Sequence, residues 1–239
     1  MRYNLGKIAV IYIIIFGILG CENASSPSSS VEIDKRPIVC FGDSLTEGYG
    51  ASKPGQIDKS KSYPAFLQEK IRVDVINVGI SGDRASGGLA RMDSDVLAKD
   101  PQMVILLLGG NDFLGRRSAN EAKDDLQAII DKAKNQNIKI YLASFIGDST
   151  WEESYLQYSQ LLPGASISEL RSLLADYKRV YAELSSENKD IEYIGNIWRG
   201  IGILQMSDPI HPNAEGYRIM ADNIFAEIRP YLKEKNLLN

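Results

Sequence analysis

Apolar residues recur along the chain in two alternating patterns. Short, nearly unbroken apolar runs stand at residues 37–41, 73–78, 103–108, 138–145 and 191–194. Runs of that length, rich in Val, Ile and Leu, predict buried strands. Between them the spacing changes to three and four, which predicts helices. Ala122, Leu126, Ile129, Ile130 and Ala133 form one such stripe, opened by the capping-box pattern Ser118-Ala119-Asn120-Glu121. Ser166-Ile167-Ser168-Glu169 opens a second, carrying Leu170, Leu173, Leu174, Tyr177 and Tyr181. A closing helix over 214–231 buries Tyr217, Met220, Ile224, Phe225 and Ile228. Shorter helices are predicted at 63–71, with Pro64 near the start, and at 87–97. Strand and helix alternating at these lengths imply parallel crossovers. The expected fold class is therefore α/β, a three-layer α/β/α sandwich around a central, mostly parallel five-stranded sheet. In such sheets the ligand crevice lies beyond the carboxyl ends of the strands.

The amino terminus follows another pattern. Residues 8–19 are apolar throughout and follow a stretch holding Arg2 and Lys7 but no acid. Twelve residues are too few to span a bilayer, which takes about 20, but they suit the apolar part of a secretory signal. The segment ends Ile18-Leu19-Gly20-Cys21, which resembles the lipobox of bacterial lipoproteins. That resemblance implies cleavage before Cys21, lipidation of its sulfur, and a place in the bacterial cell envelope, facing the periplasm or exterior. A Ser-rich stretch, Ser25-Ser26-Pro27-Ser28-Ser29-Ser30, offers little to bury and reads as a flexible tether. The organisation expected is a signal over 1–20, a tether over 21–36 and a catalytic body over 37–235.

Composition narrows the function. The 239 residues are 44% apolar and 24% charged, as in an ordinary globular chain. A net charge of −4 with no basic run argues against a nucleic-acid partner. Two cysteines, Cys21 and Cys40, leave no room for a Cys-rich zinc site. With Cys21 lipidated, Cys40 reads as a small apolar residue inside a strand. The single histidine, His211, must serve any chemistry that needs an imidazole.

Four short blocks lie at the ends of predicted strands or ahead of the last helix. Gly42-Asp43-Ser44-Leu45 makes a sharp corner that presents a serine. Asn77-Val78-Gly79-Ile80-Ser81-Gly82-Asp83 lets backbone N–H groups approach a ligand oxygen. Gly109-Gly110-Asn111-Asp112 directs a side-chain amide into the crevice. Asp208-Pro209-Ile210-His211-Pro212-Asn213 sets a carboxylate against an imidazole, which fixes its tautomer and leaves Nε2 free as a base. Singly, each block also reads as an ordinary turn.

Together, in this order, the blocks resemble the GDSL, or SGNH, hydrolase family, over most of the chain from Pro37 to the final helix. The longer forms, with Gly88-Leu89-Ala90-Arg91, look most like its bacterial acyl-CoA thioesterase/lysophospholipase and arylesterase branch. The resemblance implies Ser44 as nucleophile, His211 as base and Asp208 as its orienter. It implies oxyanion donors at the Ser44 N–H, the Gly82 N–H and the Asn111 side chain, and no metal or cofactor. The implied substrate is a small acyl ester or a lysolipid. O-deacetylation of a carbohydrate or cell-wall glycan, and a binding lipoprotein that keeps the fold without turnover, stay open. One segment departs from the compact branch. Residues 147–164 form a longer connection, with Trp151, Tyr155, Leu156, Tyr158, Leu161 and Leu162 as apolar surface. It is expected either to cover the acyl site or to pack on the body as a surface helix.

Overall fold

The computed structural model describes residues 33–160, 164 and 166–239, without the side chains of Thr150 and Gln160. The signal, most of the tether, Cys21, and Leu161 and Leu162 lie outside the described residues. Five parallel strands form one sheet in the order β2-β1-β3-β4-β5: β1 (Ile38–Gly42), β2 (Val75–Asn77), β3 (Met103–Leu107), β4 (Lys139–Ala143) and β5 (Glu192–Ile194). Every residue of β1 and β3 is buried, which explains their unbroken apolar runs.

Three short helices stand on loops at or just before the sheet: α1 (Ser44–Glu47), α2 (Tyr63–Gln68) and α4 (Gly110–Leu114). Helix α3 (Ala85–Arg91) continues into a wide turn over Met92–Val96 and a tight one over Leu97–Lys99. The long helices are α5 (Ala119–Lys134), α6 (Ser149–Gln160), α7 (Ile167–Glu187) and α8 (Ala214–Glu234). Helices α2 and α8 pack together, while α3, α5 and α7 form a second group.

The structure refines several expectations. Strand β2 is shorter than 73–78; Val73 is buried but lies outside the ladder. The box expected at Ser118 does not form, because Ser118 makes no side-chain cap and Glu121 faces Arg117 Nε at 3.8 Å. The box at Ser166 and Glu169 does form. At the far end the body outlasts residue 235: Leu237 is fully buried and Leu238 pairs with Ile71. At the near end, Gln102 Nε2 donates to the carbonyls of Asp34 and Arg36, so these two residues of the expected tether are held against the body.

The strand order decides where a ligand can sit. From β1 the chain runs outward to β2, then returns across β1 to β3 and on to β4 and β5. The loops leaving β1 and β3 therefore diverge, which opens a crevice at their carboxyl ends. The last paired residues there are Gly42 and Leu107. Gly42 is required at this corner, since a Cβ on it would lie 2.1 Å from Thr46 Oγ1 and 2.5 Å from Leu107 O.

Candidate active site

Ser44 is the first residue of α1, two positions beyond β1. Asp43 caps that helix, with Oδ1 accepting the Leu45 N–H at 3.0 Å. At a helix start the backbone N–H groups lack intrahelical acceptors, and Ser44 holds the first of these positions. Tyr217 of α8 secures the far end of the turn, its hydroxyl donating to Tyr49 O at 2.8 Å.

The histidine loop is built by its own backbone. Ser207 N–H donates to His211 O at 2.9 Å, Met206 pairs with Pro212, and Asn213 caps α8 by accepting from Gly216 N–H. Within this turn Asp208 Oδ1 accepts the backbone N–H groups of Ile210 and His211, each at 2.9 Å. The His211 ring then sits between two partners. Nδ1 is 2.8 Å from Asp208 Oδ2, and Nε2 is 2.9 Å from Ser44 Oγ. With Nδ1 carrying the proton toward the carboxylate, Nε2 accepts from the Ser44 hydroxyl. The Tyr49 ring lies 4.5 Å from the imidazole, a neighbour that no motif in the sequence announced.

Burial pushes the Asp208 carboxyl up, but the His211 ring and the backbone N–H groups of Ile210 and His211 outweigh that and hold it below its ordinary value. Asp43 behaves in the opposite way. It is 3% exposed, and burial raises its pKa to about 7, against the Leu45 hydrogen bond and the His211 charge. Cys40 is buried in β1 and unbridged, with burial raising its thiol to about 12, consistent with an inert packing residue.

Ser44, Gly82, Asn111 and His211 line one cleft, with Ser81, Gly110, Phe145, Tyr155 and Tyr158. Gly82 adopts φ +83°, a conformation that favours glycine, and a Cβ built on it would meet nothing within 4 Å. Asn111 Nδ2 donates to Asp83 O at 2.9 Å and to Asp43 Oδ2 at 3.2 Å. The amide is thus engaged by two acceptors. The five candidates for catalysis and the oxyanion hole, Ser44, Gly82, Asn111, Asp208 and His211, therefore converge, Asp208 standing behind the ring rather than in the cleft, while Cys21 lies outside the described residues.

Three charged residues around the cleft had no role assigned from sequence. Arg91 Nε meets Asp83 Oδ2 at 2.7 Å, while its Nη1 and Nη2 donate to Val78 O and Gly42 O at 2.7 and 2.9 Å. Glu47 accepts two hydrogen bonds from Ser81. Asp43 reaches Asn111. The available signal was local: each is a charged residue inside or beside a motif whose neighbours are apolar or small. Segment 147–164 carries helix α6, with Trp151, Tyr155 and Leu156 buried. Trp151 stacks on Tyr155 at 4.4 Å, and the Tyr155 hydroxyl donates to Gly110 O at 3.3 Å.

Known proteins are similar to this chain in sequence and in fold. Over 200 residues the chain is 24% identical to the esterase TesA of Pseudomonas aeruginosa, covering 82% of this chain and 89% of that one. It is 25% identical over 196 residues to thioesterase 1/protease 1/lysophospholipase L1 of Escherichia coli K12, covering 81% and 83%. The crystal structure of TesA superposes with a TM-score of 0.63, over 81% of this chain and 98% of that one at 24% identity, which shows a shared fold. Residues 40–219 match the sequence pattern of the GDSL-like lipase/acylhydrolase family. The chain belongs to that family and is a hydrolase.

Proposed function

We propose that the protein hydrolyses carboxylic esters through an acyl-enzyme on Ser44, with lysophospholipids, aryl esters and short acyl esters as substrates and thioesters within the same chemistry. The observation that carries this reading is the unbroken pair of hydrogen bonds from Ser44 Oγ through His211 to Asp208, at 2.9 and 2.8 Å. His211 Nε2 takes the Ser44 proton as Oγ attacks the carbonyl carbon. Negative charge gathers on the former carbonyl oxygen, which the N–H groups of Ser44 and Gly82 and the Asn111 amide receive. His211 then gives the proton to the leaving alcohol or thiol. Water enters, loses a proton to His211 and releases the acid, restoring Ser44. Asp208 keeps Nδ1 protonated and stabilises the imidazolium. The names of the two relatives, an esterase and a thioesterase/lysophospholipase, support the same class of bond.

Ser44→Ala is expected to lose turnover of p-nitrophenyl butyrate by several orders of magnitude, and to lose labelling by a fluorophosphonate, with an unchanged melting curve. Full activity in that variant overturns the reading.

The lipobox-like segment supports a second part of the proposal: Cys21 is lipidated and holds the body at the cell envelope through the Ser-rich stretch. No helix among the described residues is long and apolar enough to cross a membrane. Cys21→Ser is expected to move the full chain from the membrane to the soluble fraction; retention in the membrane would defeat the anchor.

A further inference from the structure

The nucleophile and the two other oxyanion donors come from three different loops, after β1, β2 and β3. An oxyanion hole works when its donors are already placed, so something must fix these loops relative to one another. Two carboxylates bracket the four-residue helix that carries Ser44. Asp43 precedes it and is buried. Its Oδ1 accepts the Leu45 N–H at 3.0 Å, and its Oδ2 accepts Asn111 Nδ2 at 3.2 Å. Glu47 ends the helix. Its Oε2 accepts both donors of Ser81, the N–H at 2.8 Å and the hydroxyl at 2.6 Å, and Ser81 adjoins Gly82. Its Oε1 faces Lys59 Nζ at 3.5 Å.

We infer that Asp43 and Glu47 are paired positioning residues, each tying one oxyanion donor to the helix of the nucleophile: Asp43 sets the Asn111 amide, and Glu47 sets the Gly82 N–H through Ser81. This rests on the acyl-enzyme reading above. The geometry requires a carboxylate at Asp43 but only one acceptor oxygen at Glu47. Asp43 needs two acceptor oxygens, and asparagine offers one, so in either amide orientation Asp43→Asn leaves the helix or Asn111 without its acceptor. Glu47 uses one oxygen for Ser81, so Glu47→Gln keeps that acceptor and gives up only the Lys59 contact. Arg91 holds the two ends of the Gly82 loop, at Val78 O and Asp83, and joins them to Gly42 O of β1.

The test reads kcat and KM separately, with p-nitrophenyl butyrate, on folded variants checked by melting temperature. Asp43→Asn and Glu47→Ala are each expected to lower kcat between about 10- and 100-fold with KM little changed, as for a small misplacement of catalytic groups. Glu47→Gln restores most of the loss. Double variants give a signature that general destabilisation does not. Asp43→Asn adds nothing to Asn111→Ala but multiplies with Ser81→Ala. Glu47→Ala absorbs the effect of Ser81→Ala but multiplies with Asn111→Ala. A kcat within twofold of wild type in both single variants, a loss confined to KM, or losses that multiply in every pair would each overturn the inference. Should Asp43→Asn not fold, the Glu47 arm decides alone, by the Gln rescue and its pairing with Ser81. An active Ser44→Ala or an unaltered Asn111→Ala defeats the acyl-enzyme reading instead. An inactive Ser44→Ala beside a fully active Glu47→Ala defeats this inference only.

Discussion

In the proposed oxyanion hole the Asn111 side chain has the narrowest task and the clearest expected cost. Its amide holds Asp83 O and Asp43 Oδ2 at rest and stands beside Ser44 in the cleft. Removing one oxyanion donor costs about 2.7–4 kcal/mol of transition-state stabilisation, mostly in kcat. Asn111→Ala should show that loss in steady-state kinetics with KM nearly constant; an unchanged kcat would remove Asn111 from the oxyanion hole. Residues of this kind were legible in the sequence because each sits in a short block with its own chemistry. The Asp208–His211 pair needs only a spacing of three and a turn, and Ser44 needs only a corner. Asp43, Glu47 and Arg91 were not legible as a group. Their partners lie 68, 34 and 8 positions away, in other blocks or across a helix. No local pattern records which carboxylate will meet which donor once three strands are side by side.

At the scale of elements, length decided what could be read. Strands β1 and β3 and helices α5, α7 and α8 have enough residues for a period to show. Helices α1 and α4 span 4 and 5 residues, about one turn, too short to repeat a pattern. The two capping-box patterns show why a motif needs its surroundings. Ser166 and Glu169 exchange hydrogen bonds, whereas Glu121 lies against Arg117 and Ser118 stays out of the cap. Ser166→Ala should therefore lower stability by about 1 kcal/mol in urea unfolding, and Ser118→Ala much less; equal losses would deny the difference. Helix α6 meets both the body and the cleft. It packs on the body through Trp151 and Leu156, and it lines the cleft through Tyr155 and Tyr158. Tyr155 is 5% exposed and wedged between Phe145 and Gly110. Tyr155→Ala is expected to open space beside Ser44 and to raise kcat/KM for octanoyl over acetyl p-nitrophenyl esters about tenfold relative to wild type, the scale of a methylene or two in an apolar pocket. An unchanged chain-length profile would leave α6 a packing element only.

For the molecule as a whole, the site imposes a cost that pH can expose. Asp43 is buried beneath the cleft with its pKa raised to about 7 by burial, with Asp83 and Asp112 adding to the rise and the Leu45 N–H and His211 opposing it. In the unfolded chain an aspartate titrates near its ordinary value of about 3.9. Between these limits the folded protein holds a proton on Asp43 that the unfolded chain has released. The contribution of Asp43 to stability then falls as pH rises from about 4 to about 7, because at this position the unfolded state binds fewer protons. Asp208 works the other way. Its pKa is lowered in the fold, so its contribution is present above the unfolded value and disappears only as pH falls through the folded one. The two windows do not overlap, so between pH 8 and pH 5 the difference between wild type and Asp43→Asn reports on Asp43. Asp43→Asn carries no titrating proton there. Measured by urea unfolding at pH 8, 7, 6 and 5, wild type should gain on this variant steadily toward acid, with a slope approaching about 1.4 kcal/mol per unit. A difference that stays flat across the series would mean that Asp43 keeps an ordinary titration in the fold. The buried carboxylate behind the nucleophile would then impose no cost on the fold at neutral pH.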